Sequence, residues 1–157
     1  MEIRIEDIPR REVIYLRGVG AYAKVAPKVW DELWAYVKSK DLYKEFVAAF
    51  GICWDDPTGD PAKDRKYDAC MALSVSAVPD FDEGIAVEWI DGGRYAICRH
   101  KGPYRDIGRV FGEIMSVGMN EIEGDYDPER PCLEVYLNDP NLVAPEECLT
   151  DLCVPIK

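Results

Sequence analysis

Arg17-Gly18-Val19-Gly20-Ala21-Tyr22 returns later in the chain as Arg99-His100-Lys101-Gly102-Pro103-Tyr104, an offset of 82 residues. The same offset carries Ile3-x-Ile5-x-x-Ile8 onto Ile85-x-Val87-x-x-Ile90. With one residue inserted, Asp55-Asp56-Pro57 falls on Asn138-Asp139-Pro140, and Tyr67-Asp68-Ala69-Cys70 falls on Thr150-Asp151-Leu152-Cys153. Four blocks kept in order describe one unit of roughly 75 residues written twice. Such a duplication predicts one domain over 1–157, with repeat one at 1–77, a linker at 78–84 and repeat two at 85–157. Its two copies are related by a pseudo-two-fold axis. Residues that break the symmetry at the seam are the first candidates for function.

Outward from these blocks, each copy reads strand, strand, helix, strand, strand. Residues 2–8 alternate apolar and polar side chains, as a half-buried strand does. Pro9-Arg10 reads as a turn into a second strand at 12–17. In the other copy, strands at 85–90 and 94–100 are joined by Asp91-Gly92-Gly93, whose glycines suit a tight hairpin. A helix is predicted over 26–39, with Pro27 in its first turn and Val25, Val29, Leu33 and Val37 as an apolar stripe. Trp30 and Trp34 flank that stripe. A second helix is predicted over 104–117, with Ile107, Val110, Phe111, Ile114 and Met115 as its stripe and Gly118 as its stop. Later strands fall at 46–54, 67–75, 132–137 and 148–156, with Pro/Asp/Gly-rich loops at 55–64 and 138–147. The expected fold is α+β: tandem strand–helix–strand–strand units in an antiparallel sheet, with both helices on one face.

The net charge is -11, from 30 acidic and 19 basic residues. Nucleic-acid binding needs clustered cations to displace counterions from phosphates, and no basic run is present. Direct nucleic-acid binding is therefore not expected. No apolar stretch approaches the ~20 residues that span a bilayer, and no secretory signal opens the chain, so no membrane role and a cytoplasmic location are predicted. Six cysteines stand at 53, 70, 98, 132, 148 and 153, without a Cys-x-x-Cys pair, and His100 is the one histidine. That spacing argues against a metal site, so no metal and no cofactor are expected. The cysteines read as small hydrophobes in a reducing compartment.

Glu134 is the sharpest position. It interrupts the apolar strand Cys132-Leu133-Glu134-Val135-Tyr136-Leu137, where a carboxylate is costly to desolvate. Its repeat mate is Gly51, so a charge faces the absence of a side chain. Such a carboxylate would attract a cation or act as a general base with a raised pKa. Tyr136 lies two residues on and shares a sheet face with Glu134. Trp89 ends the strand before Asp91-Gly92-Gly93. Tyr22 and Tyr104 are repeat mates at the two helix entrances. His100 has Gly18 as its mate and reads mainly as a structural residue.

These motifs resemble the GyrI-like small-molecule-binding domain, the family of gyrase-inhibitory proteins and of effector-binding domains of AraC-type and MerR-type regulators. The resemblance rests on Gly92-Gly93-x-Tyr95-Ala96 followed by His100-x-Gly102-Pro103-Tyr104, and on Pro131-Cys132-Leu133-Glu134-Val135-Tyr136-Leu137-Asn138-Asp139-Pro140. Arg65-x-Tyr67-Asp68-Ala69-Cys70 and Thr150-Asp151-Leu152-Cys153-Val154-Pro155-Ile156 add to it. It implies a pseudo-two-fold cleft for cationic or aromatic organic ligands, with Glu134 at the bottom and Tyr67 on the wall. Ligand contacts are then expected from Glu134, Tyr136, Tyr67, Trp89 and Tyr104. The family's regulators carry a DNA-binding domain that this sequence does not show. The first expectation is a small-molecule-binding protein with a role in toxin or drug resistance. An alternative is a hydrolase of cyclopropane-containing electrophiles, in which Glu134 and Tyr136 are catalytic. Another is a protein-interaction module, with gyrase or a regulator as partner.

Overall fold

In a computed structural model that describes residues 1–60 and 63–157, eight strands form a single sheet. The strands are β1 (Arg4–Ile8), β2 (Arg11–Gly20), β3 (Phe46–Cys53), β4 (Arg65–Leu73), β5 (Ala86–Ile90), β6 (Gly93–Lys101), β7 (Cys132–Tyr136) and β8 (Leu149–Pro155). Two α-helices accompany them, α1 (Tyr22–Ser39) and α2 (Ile107–Ser116). The predicted loop at 55–64 includes residues 61 and 62, which lie outside the described residues.

Helix α1 starts four residues before the expected position, from an extended Ala21. Pro27 therefore sits in its second turn, where its missing N–H forfeits one bond to the preceding turn. Helix α2 starts later than expected, because Tyr104–Asp106 forms a 3₁₀ turn first. The buried stripes are Val29, Leu33 and Val37 on α1, and Ile107, Val110, Phe111 and Ile114 on α2. Helix α1 packs over β2 and β4, and α2 over β6 and β8.

The strand order is β1-β6-β8-β7-β3-β4-β2-β5, and every pairing is antiparallel. This corrects the hairpin expectation. β5 and β6 do not pair with each other. β1 leaves its own copy to pair with β6, and β5 leaves its own copy to pair with β2. Ile8 faces Gly93 and Arg11 faces Ile90, so one register runs through both crossovers. The two connections, at Pro9-Arg10 and Asp91-Gly92, touch where they cross. A Cβ on Gly92 would lie 2.3 Å from the Ile8 carbonyl oxygen and 2.9 Å from the Arg10 nitrogen, at a φ of 75°. Glycine is needed there for close approach as well as for its backbone angle. The exchange curls the sheet into a half-barrel.

Alternation along the strands splits the core into two layers. Ile14, Met71, Leu152 and Val154 face the helices and pack with Leu33, Val37, Phe111 and Ile114. Val13, Phe50, Ile52, Ile90, Tyr95, Ile97, Leu133 and Cys153 pack together on the other face, inside the curl. All six cysteines are free and buried, and among the described residues no cluster of His, Cys, Asp or Glu could hold a metal ion. Repeat mates also make matching ion pairs. The Arg17 guanidinium grips Asp68 at 2.8 and 2.9 Å, and that of Arg99 grips Asp151 at 2.9 and 3.2 Å.

Candidate ligand-binding site

The seam between the copies is the β3–β7 ladder, and at its centre Gly51 faces Glu134. These two residues are repeat mates as well as sheet partners, so the pseudo-two-fold axis passes between them. Helix α1 covers one side of the seam and α2 the other, which leaves this central pair between the two helices. Only one side chain fits on the axis. A Cβ built on Gly51 would stand 2.5 Å from the Tyr67 hydroxyl and 2.9 Å from that of Tyr136. The glycine makes room for two phenols, and the phenols serve the glutamate opposite.

A directed hydrogen-bond chain ends on that glutamate. Tyr136 Oη donates to Glu134 Oε1 at 2.9 Å. Its one proton is thereby used, so in the 2.6 Å bond between the phenols Tyr67 is the donor. Trp30 Nε1 in turn donates to Tyr67 Oη at 2.7 Å. The other carboxylate oxygen, Oε2, accepts from Cys53 Sγ at 3.2 Å. All of these donors are neutral. Glu134 is 8% exposed, and among the described residues no Lys, Arg or His forms an ion pair with it.

Burial pushes the Glu134 carboxyl above the usual carboxylate range, while the bonds from Cys53 and Tyr136 pull it down. The Cys53 thiol is pushed well up by burial and then by the Glu134 charge. Burial and Glu134 also hold the Tyr67 and Tyr136 phenols well above their ordinary value. Both therefore stay protonated as donors. Aromatic rings enclose the group: Trp30 stands edge-on to Tyr136 with centroids 5.3 Å apart, Tyr104 lies 5.6 Å from Tyr136, and Tyr22 lies 5.9 Å from Tyr67. The arrangement is a desolvated carboxylate, lacking a positive partner, in an aromatic surround.

Of the residues singled out from sequence, the structure brings Glu134, Tyr136, Tyr67 and Tyr104 together. It does not bring Trp89 to them. Trp89 lies on the edge strand β5, is 47% exposed, and carries the Arg10 guanidinium 4.3 Å above its ring. The reason is that β5 is an edge strand, three strands away from β3. His100 is buried at the end of β6, with Nε2 3.1 Å from the Pro103 carbonyl oxygen, where it braces the turn into α2. Trp34 packs on Tyr43 and Phe46 at the other end of α1. Sequence reasoning left two members unassigned. Trp30 read as a helix flank, and Cys53 as a small hydrophobe. The signal for Cys53 was its spacing: two residues beyond Gly51, it shares the face on which Glu134 lies.

Comparison with known proteins bears on this geometry. The model of the GyrI-like small molecule binding domain matches residues 1–157. This chain belongs to that family. A relative named DNA gyrase inhibitor, from Yersinia enterocolitica, is 25% identical over 142 residues, covering 88% of each chain. Among solved structures, the C-terminal domain of EcmrR superposes with a TM-score of 0.78 at 15% identity, covering 99% of this chain and 97% of that one. SAV2435, solved bound to tetraphenylphosphonium, gives a TM-score of 0.66 at 14% identity, covering 100% of this chain and 94% of that one. Identities this low establish a shared fold and not a shared ligand. As a GyrI-like domain the chain is a small-molecule-binding module, and no helix among its described residues is long and apolar enough to cross a membrane.

Proposed function

We propose that this GyrI-like domain binds lipophilic organic cations at Glu134, with both repeats over residues 1–157 acting as one binding unit. The observation that carries the reading is the Glu134 carboxylate, which is buried and held by neutral donors alone. A buried charge without a counter-ion is expensive, and a bound cation removes that expense. Tyr136, Tyr67, Tyr104 and Trp30 supply the aromatic faces that cations favour. A related fold solved with tetraphenylphosphonium supports the ligand class. Sequestration of such compounds is the proposed role in toxin or drug resistance.

The test is a fluorescence titration with tetraphenylphosphonium, since Trp30 lies in the cluster. Saturable binding is expected, weakened about tenfold or more in Glu134→Gln. Equal affinity in the two proteins would sink the proposal. The hydrolase reading keeps one supporting observation, that burial raises the Glu134 carboxyl, the direction that strengthens a general base. Against it, both oxygens of that carboxyl already accept hydrogen bonds. Incubation with a cyclopropane electrophile, followed by mass spectrometry, separates the two, because only an enzyme gives Glu134-dependent product. The gyrase-inhibitor relative adds a supercoiling assay, in which inhibition that survives Glu134→Gln would point to a protein-binding surface elsewhere.

A further inference from the structure

Glu134 for Gly51 is one break in the internal symmetry. A second lies on the same sheet face. Arg65 opens β4, two residues before Tyr67 and on the same side of the strand. Its repeat mate is Cys148. Arg65 is 9% exposed, and its Nε is buried without a hydrogen-bond partner among the described residues. Its guanidinium lies 4.0 Å over the Tyr22 ring, and Nη1 donates to the Asp56 carbonyl oxygen at 3.0 Å. Among the described residues no carboxylate forms an ion pair with it. Buried polar atoms in native proteins are nearly always satisfied, and an orphan calls for an explanation.

This sheet face therefore holds two buried charges of opposite sign that form no ion pair among the described residues. The carboxylate comes from copy two and the guanidinium from copy one. Register sets their spacing. Glu134 faces Gly51, Gly51 faces Ala69, and Arg65 stands four residues before Ala69. Strand geometry then gives a Cα separation of about 17 Å. On this face Cys53 and Cys132 face each other across β3 and β7, and Tyr67 stands beside Cys53 on β4.

We propose that the ligand of this site is amphoteric: its cationic group meets Glu134, and an anionic or acceptor group meets the unsatisfied Nε of Arg65. This rests on the cation reading of Glu134 and adds a second recognition point with a defined polarity. An arginine fork favours a carboxylate or phosphate at that end. Such a ligand pairs both buried charges at once, which a simple cation does not.

The experiment compares butyltriphenylphosphonium with its carboxybutyl analogue, whose arm extends on the order of 6 Å. Both are titrated against wild type, Arg65→Gln, Arg65→Lys and Glu134→Gln. On a protein of net charge -11, an added carboxylate should by itself weaken binding, so a gain is diagnostic. The expected result is binding of the carboxyl compound about tenfold tighter than the butyl compound in wild type. That ratio should fall to one or below in Arg65→Gln and be partly retained in Arg65→Lys, which keeps the charge but not the fork. Equal or weaker binding of the carboxyl compound in wild type overturns the proposal. So does an advantage that persists in Arg65→Gln. If butyl binding ignores Glu134→Gln, or if neither compound binds, the cation reading itself falls and this one with it.

Discussion

Replacing Gly51 by alanine tests the packing at the centre of the seam. Gly51 has no left-handed backbone angle, so the substitution meets no conformational penalty. In a strand it should by itself stabilise by about 0.5–1 kcal/mol. The surroundings reverse the sign. The new methyl would lie 2.5 Å from Tyr67 Oη, 2.9 Å from Tyr136 Oη and 3.0 Å from Tyr67 Cε2. A hydroxyl at a side-chain tip can often swing aside, but these two cannot do so freely. Tyr67 is tied to Trp30 at 2.7 Å and to Tyr136 at 2.6 Å, and Tyr136 is tied to Glu134 at 2.9 Å. Overpacking of this kind costs about 1–3 kcal/mol, and one strained hydrogen bond adds about 1 kcal/mol. After the glycine gain, the net loss is about 1–3 kcal/mol. For a domain of this size that lowers Tm by roughly 3–10 °C. The assay is thermal and denaturant unfolding of a double-mutant cycle with Tyr67→Phe, which removes the nearest oxygen. Gly51→Ala should cost at least about 1 kcal/mol less in the Tyr67→Phe background. A neutral Gly51→Ala, or additivity within about 0.5 kcal/mol, would show that the phenols yield without cost and that the one-side-chain axis is wrong.

Three further outcomes follow from the same geometry. The raised pKa of Glu134 means that its native form holds the proton more tightly than the unfolded chain does. Stability from this group is full below the ordinary carboxylate pKa and is lost as pH rises through the folded value, while cation affinity grows. Glu134→Gln should therefore be the more stable protein at neutral pH and bind cations without this pH dependence, which melts and titrations across pH would check. Glu88 is pushed to about 8 by burial and then by Asp68. Its mate Glu6 has Arg4 at 2.8 Å, but Ala86 stands where a second arginine would be. Wild-type stability should fall between pH ~4.5 and ~8, by about 1–2 kcal/mol once solvent screening of this half-exposed group is allowed for. Glu88→Gln should flatten the profile, and an unchanged slope would refute the assignment. Arg17→Ala strands the fully buried Asp68 carboxylate beside Trp54 Nε1 and should cost about 3–5 kcal/mol in chemical unfolding. Arg99→Ala should cost far less, because Arg4 still holds Asp151 at 2.6 Å.

Most of the fold was legible in one dimension. The offset repeat, the alternating strands and the apolar stripes of Val29, Leu33, Val37 and of Val110, Phe111, Ile114 depend on residues close in sequence, whose faces follow from periods of two and 3.6. Glu134 also stood out unaided, since a carboxylate inside Cys132-Leu133-x-Val135 is anomalous under any pairing, and the repeat named Gly51 as its mate. What the sequence could not supply was the choice of strand partners. Asp91-Gly92-Gly93 carries the local chemistry of a hairpin, yet β5 pairs with β2 and β6 with β1. Both arrangements satisfy the same turn residues, and only burial of the two apolar faces across the whole curled sheet distinguishes them. Trp89 lies on the edge strand β5, three strands away from β3. Tertiary packing of α1 over β4, the sheet partner of β3, brings Trp30, Cys53 and Tyr67, from three separate elements, into one hydrogen-bonded chain. The missing counter-ions of Glu134 and Arg65 are tertiary facts as well, because a charge counts as unpaired only when every neighbour that folding could have delivered has been placed elsewhere.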